Sequence, residues 1–412
     1  MAIGVPVAFS LMFCGVVLMW YMGMFNTAII AQNMISGADT FTLLAIPFFI
    51  LAGELMNSGG LSRRIIDFAI ALVGHIRGGL GIVAIVAAII MASISGSAAA
   101  DTAALAAILI PMMAKAGYNI PRSGGLIAAG GIIAPVIPPS MAFIVFGVAA
   151  NVSITQLFLA GIVPGILMGA SLIIAWLIVV RKDNVQPLPK TTAKERLVAT
   201  GRAGWALGMP VIILGGIKAG IMTPTEAAVI AAAYALFVGM VIYRELKPAD
   251  LWHVLLRAAK STSIIMFLVA AALVSAWLIT AANIPAEVAG FIEPLIDRPM
   301  LLMAVIMVLV FIVGTALDLT PTILILTPVL MPIVKQAGID PVYFGVLFII
   351  NNAIGLITPP VGVVLNVVSG VGRIPLGKVT VGVWPFLIAE TIVLALLVIF
   401  PQIVMVPLQY LR

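Results

Sequence analysis

Apolar positions in this chain come in long unbroken runs, not in stripes. The runs lie near residues 1–23, 41–57, 79–117, 123–147, 159–180, 203–221, 224–243, 261–282, 300–337, 342–370 and 379–408. Since about 20 helical residues cross a hydrocarbon layer of roughly 30 Å, the pattern predicts about ten spanning helices. A membrane barrel would instead show short segments of period two, and none is present. Two runs are too long for one span. The stretches of roughly 40 residues from Gly79 and from Met300 carry turn-forming residues at their centres, Ser93-Ile94-Ser95-Gly96-Ser97 and Gly314 through Pro321. Each is predicted to be a re-entrant hairpin, two half-helices that enter and leave on one side.

The pattern also repeats. A shift of 221 positions aligns Arg77 with Arg298, Leu80 with Leu301, Pro111 with Pro332 and Gly117 with Gly338 without a gap. The same shift aligns Pro138-Pro139 with Pro359-Pro360, Gly161 with Gly382, and Pro164 with Pro385. Glycine and proline are minority residues here, so these columns imply an internal duplication. Four regions follow. Residues 1–40 form an N-terminal scaffold helix and a periplasmic connector; 41–180 form a first repeat, with hairpin 79–117 and broken helix 123–147. Residues 181–260 form a cytoplasmic loop and central scaffold helices. The second repeat is 261–412, with hairpin 300–337 and broken helix 342–370.

Charge sets the orientation, because Lys and Arg collect in cytoplasmic loops. Arg181, Lys182, Lys190, Lys194, Arg196 and Arg202 mark one such loop, and Arg244, Lys247, Arg257 and Lys260 mark another. The equivalent connectors of the two repeats carry opposite signs: 58–78 has Arg63, Arg64 and Arg77 against Asp67, whereas 284–299 has Glu287, Glu293 and Asp297 against Arg298. The halves are therefore expected to be inverted. With the N-terminus in the cytoplasm and the C-terminus in the periplasm, only Lys218, Arg298, Lys335 and Arg412 of the 21 basic residues fall outside.

Composition agrees with a membrane chain: 63% of the 412 residues are hydrophobic and 9% charged, which excludes soluble enzymes and nucleic-acid binders. The net charge of +6 is scattered over short loops, so membrane lipid is the implied electrostatic partner, not nucleic acid. The one cysteine, Cys14, lies in the first apolar run, and His75 and His253 sit in loops, so no thiolate or imidazole cage forms. No organic cofactor is expected. The first run lacks a basic start and a cleavage site and reads as a membrane helix.

The chemistry lies in the breaks. Each repeat interrupts a helix twice, at its hairpin tip and in the following span, at Ile133 through Ser140 and at Ile354 through Val361. Prolines remove N–H donors and free upstream carbonyls, and unsatisfied backbone in hydrocarbon costs several kcal/mol unless protein or a ligand covers it. Serine and threonine hydroxyls beside such carbonyls form an oxygen cage of low charge, suited to a hard monovalent cation; sodium is the natural candidate. Half-helix N-termini near the same place favour an anionic, carboxylate-bearing substrate. Small residues and prolines also serve close packing and kinks, but recurrence of both breaks at one offset favours function. Asp101 and Asp318 are carboxylates within the hairpins and are candidates by depth alone. Asp318 sits in its tip, whereas Asp101 lies a turn past the first tip, where it could simply favour a helix start. Glu54 and Glu390 suit a structural or an ionic role, and Asn351 and Asn352 suit substrate or backbone.

The segments SGSAAADTAA, GGIIAPVIPPS, ALDLTPTILILTPVLMP and NNAIGLITPPVG, together with LAIPFFILAGELMNSGGLSRRI, resemble the large permease (DctM-type) subunit of TRAP transporters along essentially the whole chain. Several stretches resemble the 2,3-diketo-L-gulonate-type branch, which suggests a sugar acid. The resemblance implies an all-α polytopic membrane protein of the inner membrane, an inverted-repeat elevator-type transporter related in fold to divalent-anion/sodium symporters. It implies sodium-driven organic acid import with a small DctQ-type membrane subunit and a periplasmic DctP-type solute-binding protein, and no enzyme activity. Carried over by motif, one sodium site falls at Ser93, Ser95, Ser97, Ala134, Ile137 and Pro139. The other falls at Gly314, Asp318, Thr320, Gly355, Thr358 and Pro360. Ser97, Asp101, Ser140, Thr322, Asn351 and Asn352 are the expected substrate contacts. Ala134 stands where the family usually has glycine, and the apolar start before GVPVAF is shorter than is usual, so an alternative initiating Met is expected.

Two rival classes remain. An intramembrane aspartyl protease needs two close carboxylates, yet Asp101 corresponds under the repeat to Thr322, not to Asp318. A channel needs a continuous pore, whereas an inverted duplication more readily explains two alternating states.

Overall fold

The computed structural model describes residues 5–411 apart from 182, 184, 285, 286, 288, 289 and 291–294. Lys182, Glu293 and Arg412, used above to orient the chain, lie outside the described residues. About 80% of the chain is helical, with 18 α-helices and no strand among the described residues. Eight helical stretches among them are long and apolar enough to cross a membrane.

The chain opens with α1 (Val7–Tyr21) and α2 (Thr27–Ala38), then α3 (Ala45–Ser58) and α4 (Leu61–Val73). A first hairpin, α5 (Gly79–Ser95) and α6 (Ala98–Lys115), leads to a broken helix, α7 (Ile120–Gly131) and α8 (Met141–Ala150), and then to the long α9 (Ile154–Val180). Three central helices follow: α10 (Ala193–Lys218), α11 (Pro224–Phe237) and α12 (Pro248–Ala281). The motif then recurs as hairpin α13 (Pro299–Gly314) and α14 (Leu319–Gln336), broken helix α15 (Pro341–Gly355) and α16 (Val363–Gly372), and α17 (Leu376–Ile399). Helix α18 (Gln402–Leu411) closes the chain. The starts of α6 and α14, their ends, and the starts of α7 and α15 each differ by 221 positions, as do the cis bonds Pro138-Pro139 and Pro359-Pro360.

Four connectors carry more helix than their apolar content foretells: the basic segments 193–202 and 248–260 are the first turns of α10 and α12, and two others are helices of their own. Residues 27–38 form α2 because Asn26 caps them, its side chain accepting from Ala28 N at 2.8 Å. Residues 61–73 form α4 because Ile65, Ile66 and Ala69 make a buried stripe at helical spacing while Arg63 and Asp67 stay outside it. A window that seeks 20 apolar residues overlooks an amphipathic helix of 13.

Close backbone approach holds the repeats against each other. Helix α7 crosses α17 at glycines: a side-chain carbon on Gly125 would lie 2.4 Å from the carbonyl carbon of Gly382, and one on Gly382 would lie 2.0 Å from Pro121 O. Trp176 of α9 is fully buried, donates through Nε1 to Gly78 O at 2.8 Å, and lies against Tyr118 and Phe386 at 5.9 and 6.2 Å between ring centroids. It thereby ties the base of the first hairpin to both long arms. Arg122 at the start of α7 reaches Asp183, just beyond α9, at 2.9 and 3.1 Å.

Gly125→Leu is expected to cost about 3 kcal/mol or more, because the atoms it would strike are backbone and cannot yield. Gly201→Leu, with nothing within 4 Å of its added carbon, serves as the control. Thermal unfolding of the detergent-solubilised protein distinguishes them; equal midpoints would refute the crossing.

Candidate functional site

Each hairpin tip is a short non-helical passage closed by a polar cap. In the first, α5 ends at Ser95, the chain turns through Gly96 at φ 60°, and Ser97 caps α6, accepting from Ala100 N at 3.4 Å. In the second, Asp318 stands at the position equivalent to Ser97 and caps α14, accepting from Leu319 N at 2.8 Å. Ser140 caps α8 and Gly362 precedes α16.

Each tip packs on the break of its own repeat. A side-chain carbon at Gly96 would lie 2.8 Å from Pro139 O, and one at Gly355 would lie 2.6 Å from both the carbon and the oxygen of the Gly314 carbonyl. The second junction is thus glycine against glycine. At the equivalent first junction the chain carries Ser93 and Ala134.

Hydroxyls and amides stitch these passages. Ser93 donates to Ile90 O at 2.6 Å, and Ser95 donates to Asp101 Oδ1 at 2.5 Å while accepting from Ser97 N at 3.1 Å. Ser140 donates to Pro135 O at 2.5 Å, Thr322 to Asp318 O at 2.9 Å, and Thr358 to Ile354 O at 2.8 Å. Asn351 donates to Met307 O at 2.5 Å, joining α15 to α13, and Asn352 donates to Leu319 O at 3.2 Å, joining α15 to the start of α14. Several buried oxygens are left over: Asp101 Oδ2, Asn351 Oδ1 and Asn352 Oδ1 have no partner. Asn352 Oδ1 lies on the Gly314 side, 3.0 Å from where that glycine would place a side-chain carbon.

Tips and breaks meet around one cavity of about 820 Å³. The first turns of α6, α8, α14 and α16 all line it, through Ala98, Met141, Leu319 and Val363 among others. Its far wall is the paired α1 and α12, at Pro6 through Phe9 and Ser263 through Leu268; Phe9 and Phe267 touch there, with ring centroids 5.2 Å apart. Four helix N-termini, each equivalent to roughly half a positive charge, therefore share one space. No Lys or Arg lines it, and Asp318 is its one acidic side chain among the described residues.

Of the residues carried over for the two sodium sites, Ser97, Asp318 and Thr320 line this cavity. Ser93, Ser95, Ala134, Ile137, Pro139, Gly314 and Thr358 are buried behind it, as is Gly355, whereas Pro360 is exposed. Among the expected substrate contacts only Ser97 reaches the cavity wall. Asp101, Ser140, Thr322, Asn351 and Asn352 are buried and outside its lining, and each is hydrogen-bonded within a tip, a break or a hairpin helix. The wall from α1 and α12 was invisible in the sequence, since uniformly apolar helices carry no mark of what they face. Glu54 pairs with Arg257 at 2.8 Å, far from this cavity's lining, and Glu390 is fully buried with both oxygens unpartnered. No group of three or more His, Cys, Asp or Glu that could hold a metal is found among the described residues.

Residues 1–403 match the family described as "Tripartite ATP-independent periplasmic transporter, DctM component". The chain is 56% identical over 411 residues to the 2,3-diketo-L-gulonate TRAP transporter large permease protein YiaN of Escherichia coli (strain K12), covering 100% of this chain and 97% of that one. It is 41% identical over 399 residues to the sialic acid TRAP transporter large permease protein SiaM of Vibrio cholerae, covering 97% and 93%. Among solved structures, the YdaH transporter of Alcanivorax borkumensis matches with a TM-score of 0.66 at 15% identity, covering 90% of this chain and 87% of that one, a likeness of fold alone.

Ser140→Ala is expected to lower thermal stability by about 1–2 kcal/mol, through loss of a helix cap, while leaving the half-saturating substrate concentration unchanged. A rise in that concentration at unaltered stability would return Ser140 to the cavity wall.

Proposed function

The chain belongs to the DctM component family of tripartite ATP-independent periplasmic transporters, and on that premise we propose that it is the translocating subunit of a sodium-coupled importer of a small organic acid. It is a multi-pass membrane transporter component, not an enzyme. In this reading it lies in the bacterial inner membrane, N-terminus cytoplasmic and C-terminus periplasmic. It receives substrate from a periplasmic DctP-type binding protein and is held by a small DctQ-type membrane subunit. A carboxylate-bearing sugar acid is the substrate class, suggested by the high identity to a diketogulonate permease.

One observation carries the reading: four half-helix N-termini and two hairpin tips face one cavity with no basic side chain in it. Such a cavity attracts a carboxylate through backbone N–H groups and dipoles, without a fixed point charge. Sodium then has a stated role. Behind each tip lie carbonyls that the prolines leave free, and a cation there satisfies them when the substrate is present. The second site is assigned to Asp318, Thr320, Gly314, Gly355, Thr358 and Pro360, to which Asn352 is added for its unpartnered Oδ1. The first keeps Ser93, Ser95, Ser97, Ala134, Ile137 and Pro139.

The motion proposed is an elevator. Hairpins and broken helices form a body with tightly locked glycine contacts, whereas the wall from α1 and α12 is apolar except for Ser263. A sliding surface of that kind lets the body move without breaking polar contacts. The inverted repeat supplies the two end states from one set of contacts.

The reading is tested by uptake into proteoliposomes containing both membrane subunits and supplied with loaded binding protein. Import is expected to follow an inward sodium gradient; flux indifferent to sodium and to binding protein would favour the channel reading. Asp318→Asn and Asn352→Ala are each expected to raise the half-activating sodium concentration about tenfold, the equivalent of about 1.4 kcal/mol, with insertion intact. Unchanged sodium activation in both would remove the second site's assignment.

A further inference from the structure

A second groove, of about 680 Å³, lies between the scaffold helices α2 and α12 and the body helices α8 and α14. On the orientation assigned from charge it faces the periplasm. Its chemistry differs from that of the surrounding helices in four respects. Thr327, in its wall, is fully buried, and its Oγ1 has no hydrogen-bond partner. Pro328 and Pro332 follow one another at helical spacing on α14, so the carbonyls of Leu324 and Pro328 lose their helical N–H partners along that wall. Lys335 sits at the rim, and no acidic residue lines the groove to balance it. Asn33, Asn151 and Thr280 add polar side chains opposite.

The internal repeat shows that architecture does not require these features. Under the shift of 221, Thr327, Pro328 and Lys335 of the second hairpin correspond to Ala106, Ala107 and Ala114 of the first, while Pro332 corresponds to Pro111. Both hairpins have 18 residues in their second helix and both fold. Helix α6 has a buried, unpartnered hydroxyl of its own at Thr102 and a cation in its last turn at Lys115, but one turn earlier and one position later in this register, so only in the second hairpin do hydroxyl, additional freed carbonyl and cation line one groove.

We propose that this groove is an outer binding station for a hydroxylated organic acid, with Lys335 holding the carboxylate and Thr327 and the freed carbonyls of α14 engaging its hydroxyls. A carboxylate fits the unbalanced cation, and hydroxyl hydrogens fit carbonyls whose helical N–H partners the prolines remove. The station rests on the import reading above, since it places substrate between its release from the binding protein and the midplane cavity. Because scaffold and body both line it, movement of the body along α12 removes the station and commits the acid inward.

The test uses the protein's single cysteine to advantage. In a Cys14→Ser, Thr280→Cys permease, assembled with its small subunit, the rate of labelling by a membrane-impermeant maleimide is measured with and without 2,3-diketo-L-gulonate, in sodium. Acid at about four times its half-protecting concentration is expected to slow labelling about fivefold. Lys335→Gln or Thr327→Val in the same background is expected to abolish protection, and Thr327→Ser to retain it. Protection that persists in Lys335→Gln would overturn the proposal, since it would report closure of the groove by movement and not occupancy. So would labelling indifferent to the acid in a permease that still imports it. Failure to import 2,3-diketo-L-gulonate or any other organic acid in the parallel uptake assay would instead overturn the import reading, and the station with it.

Discussion

A helix that breaks inside hydrocarbon exposes N–H and C=O groups at several kcal/mol each, and this protein contains four such breaks. Its architecture is the arrangement that makes them tolerable. Each tip is pressed on the break of its own repeat, Gly96 against Pro139 and Gly314 against Gly355, so that one gap covers another. Side-chain hydroxyls then take up carbonyls one at a time: Ser140 serves Pro135 and Thr358 serves Ile354. What this stitching leaves over, at the tips and beside Asn352, is where chemistry can occur. Site and fold therefore have one cause.

Duplication gives two junctions of one design, yet their details diverge. In the first, Ser97 caps the tip and Ser95 is committed to Asp101 Oδ1, while Asp101 Oδ2 keeps no partner. In the second the cap is a carboxylate, Asp318, open to the cavity, and the backbones touch through two glycines. Position 352 widens the difference: its counterpart is Gly131, which packs so closely on Thr102 that an added carbon would lie 1.7 Å from Thr102 Oγ1. The second junction thus trades direct contact for an asparagine with a spare oxygen. Both junctions thus keep a carboxylate and a spare acceptor, but only the second turns its carboxylate to the cavity.

Much of this was legible in the sequence, for identifiable reasons. Solid apolar runs mark a polytopic helical chain, and prolines mark breaks because no other residue both lacks an N–H and resists a helix interior. Glycine and proline columns also carried the register of 221, which α6, α7, α14 and α15 repeat to the residue at their starts. The pairing of side chains was not legible. Asn351 and Asn352 suit substrate or backbone equally in a linear motif, and it is packing that sets their amides on Met307 O and Leu319 O. The cavity's apolar wall left no sequence mark either. Phe9 and Phe267 lie 258 positions apart in runs that are apolar on every side, so periodicity holds no information about which face is turned inward.

Charge balance ties the cavity to its cargo. Four N-termini contribute the equivalent of roughly two positive charges, spread over backbone N–H groups, against one carboxylate from Asp318. A bound organic anion offsets the remainder. In the proposed reading that anion alone brings the sum to about zero, and each sodium ion seated behind a tip adds one positive charge. Dipoles have a second consequence. In the proposed reading they hold a carboxylate whatever skeleton lies behind it, and two relatives of this chain are named for acids as different as diketogulonate and sialic acid. Discrimination among acids must then be exercised before the substrate reaches the midplane, by groups that contact its hydroxyls.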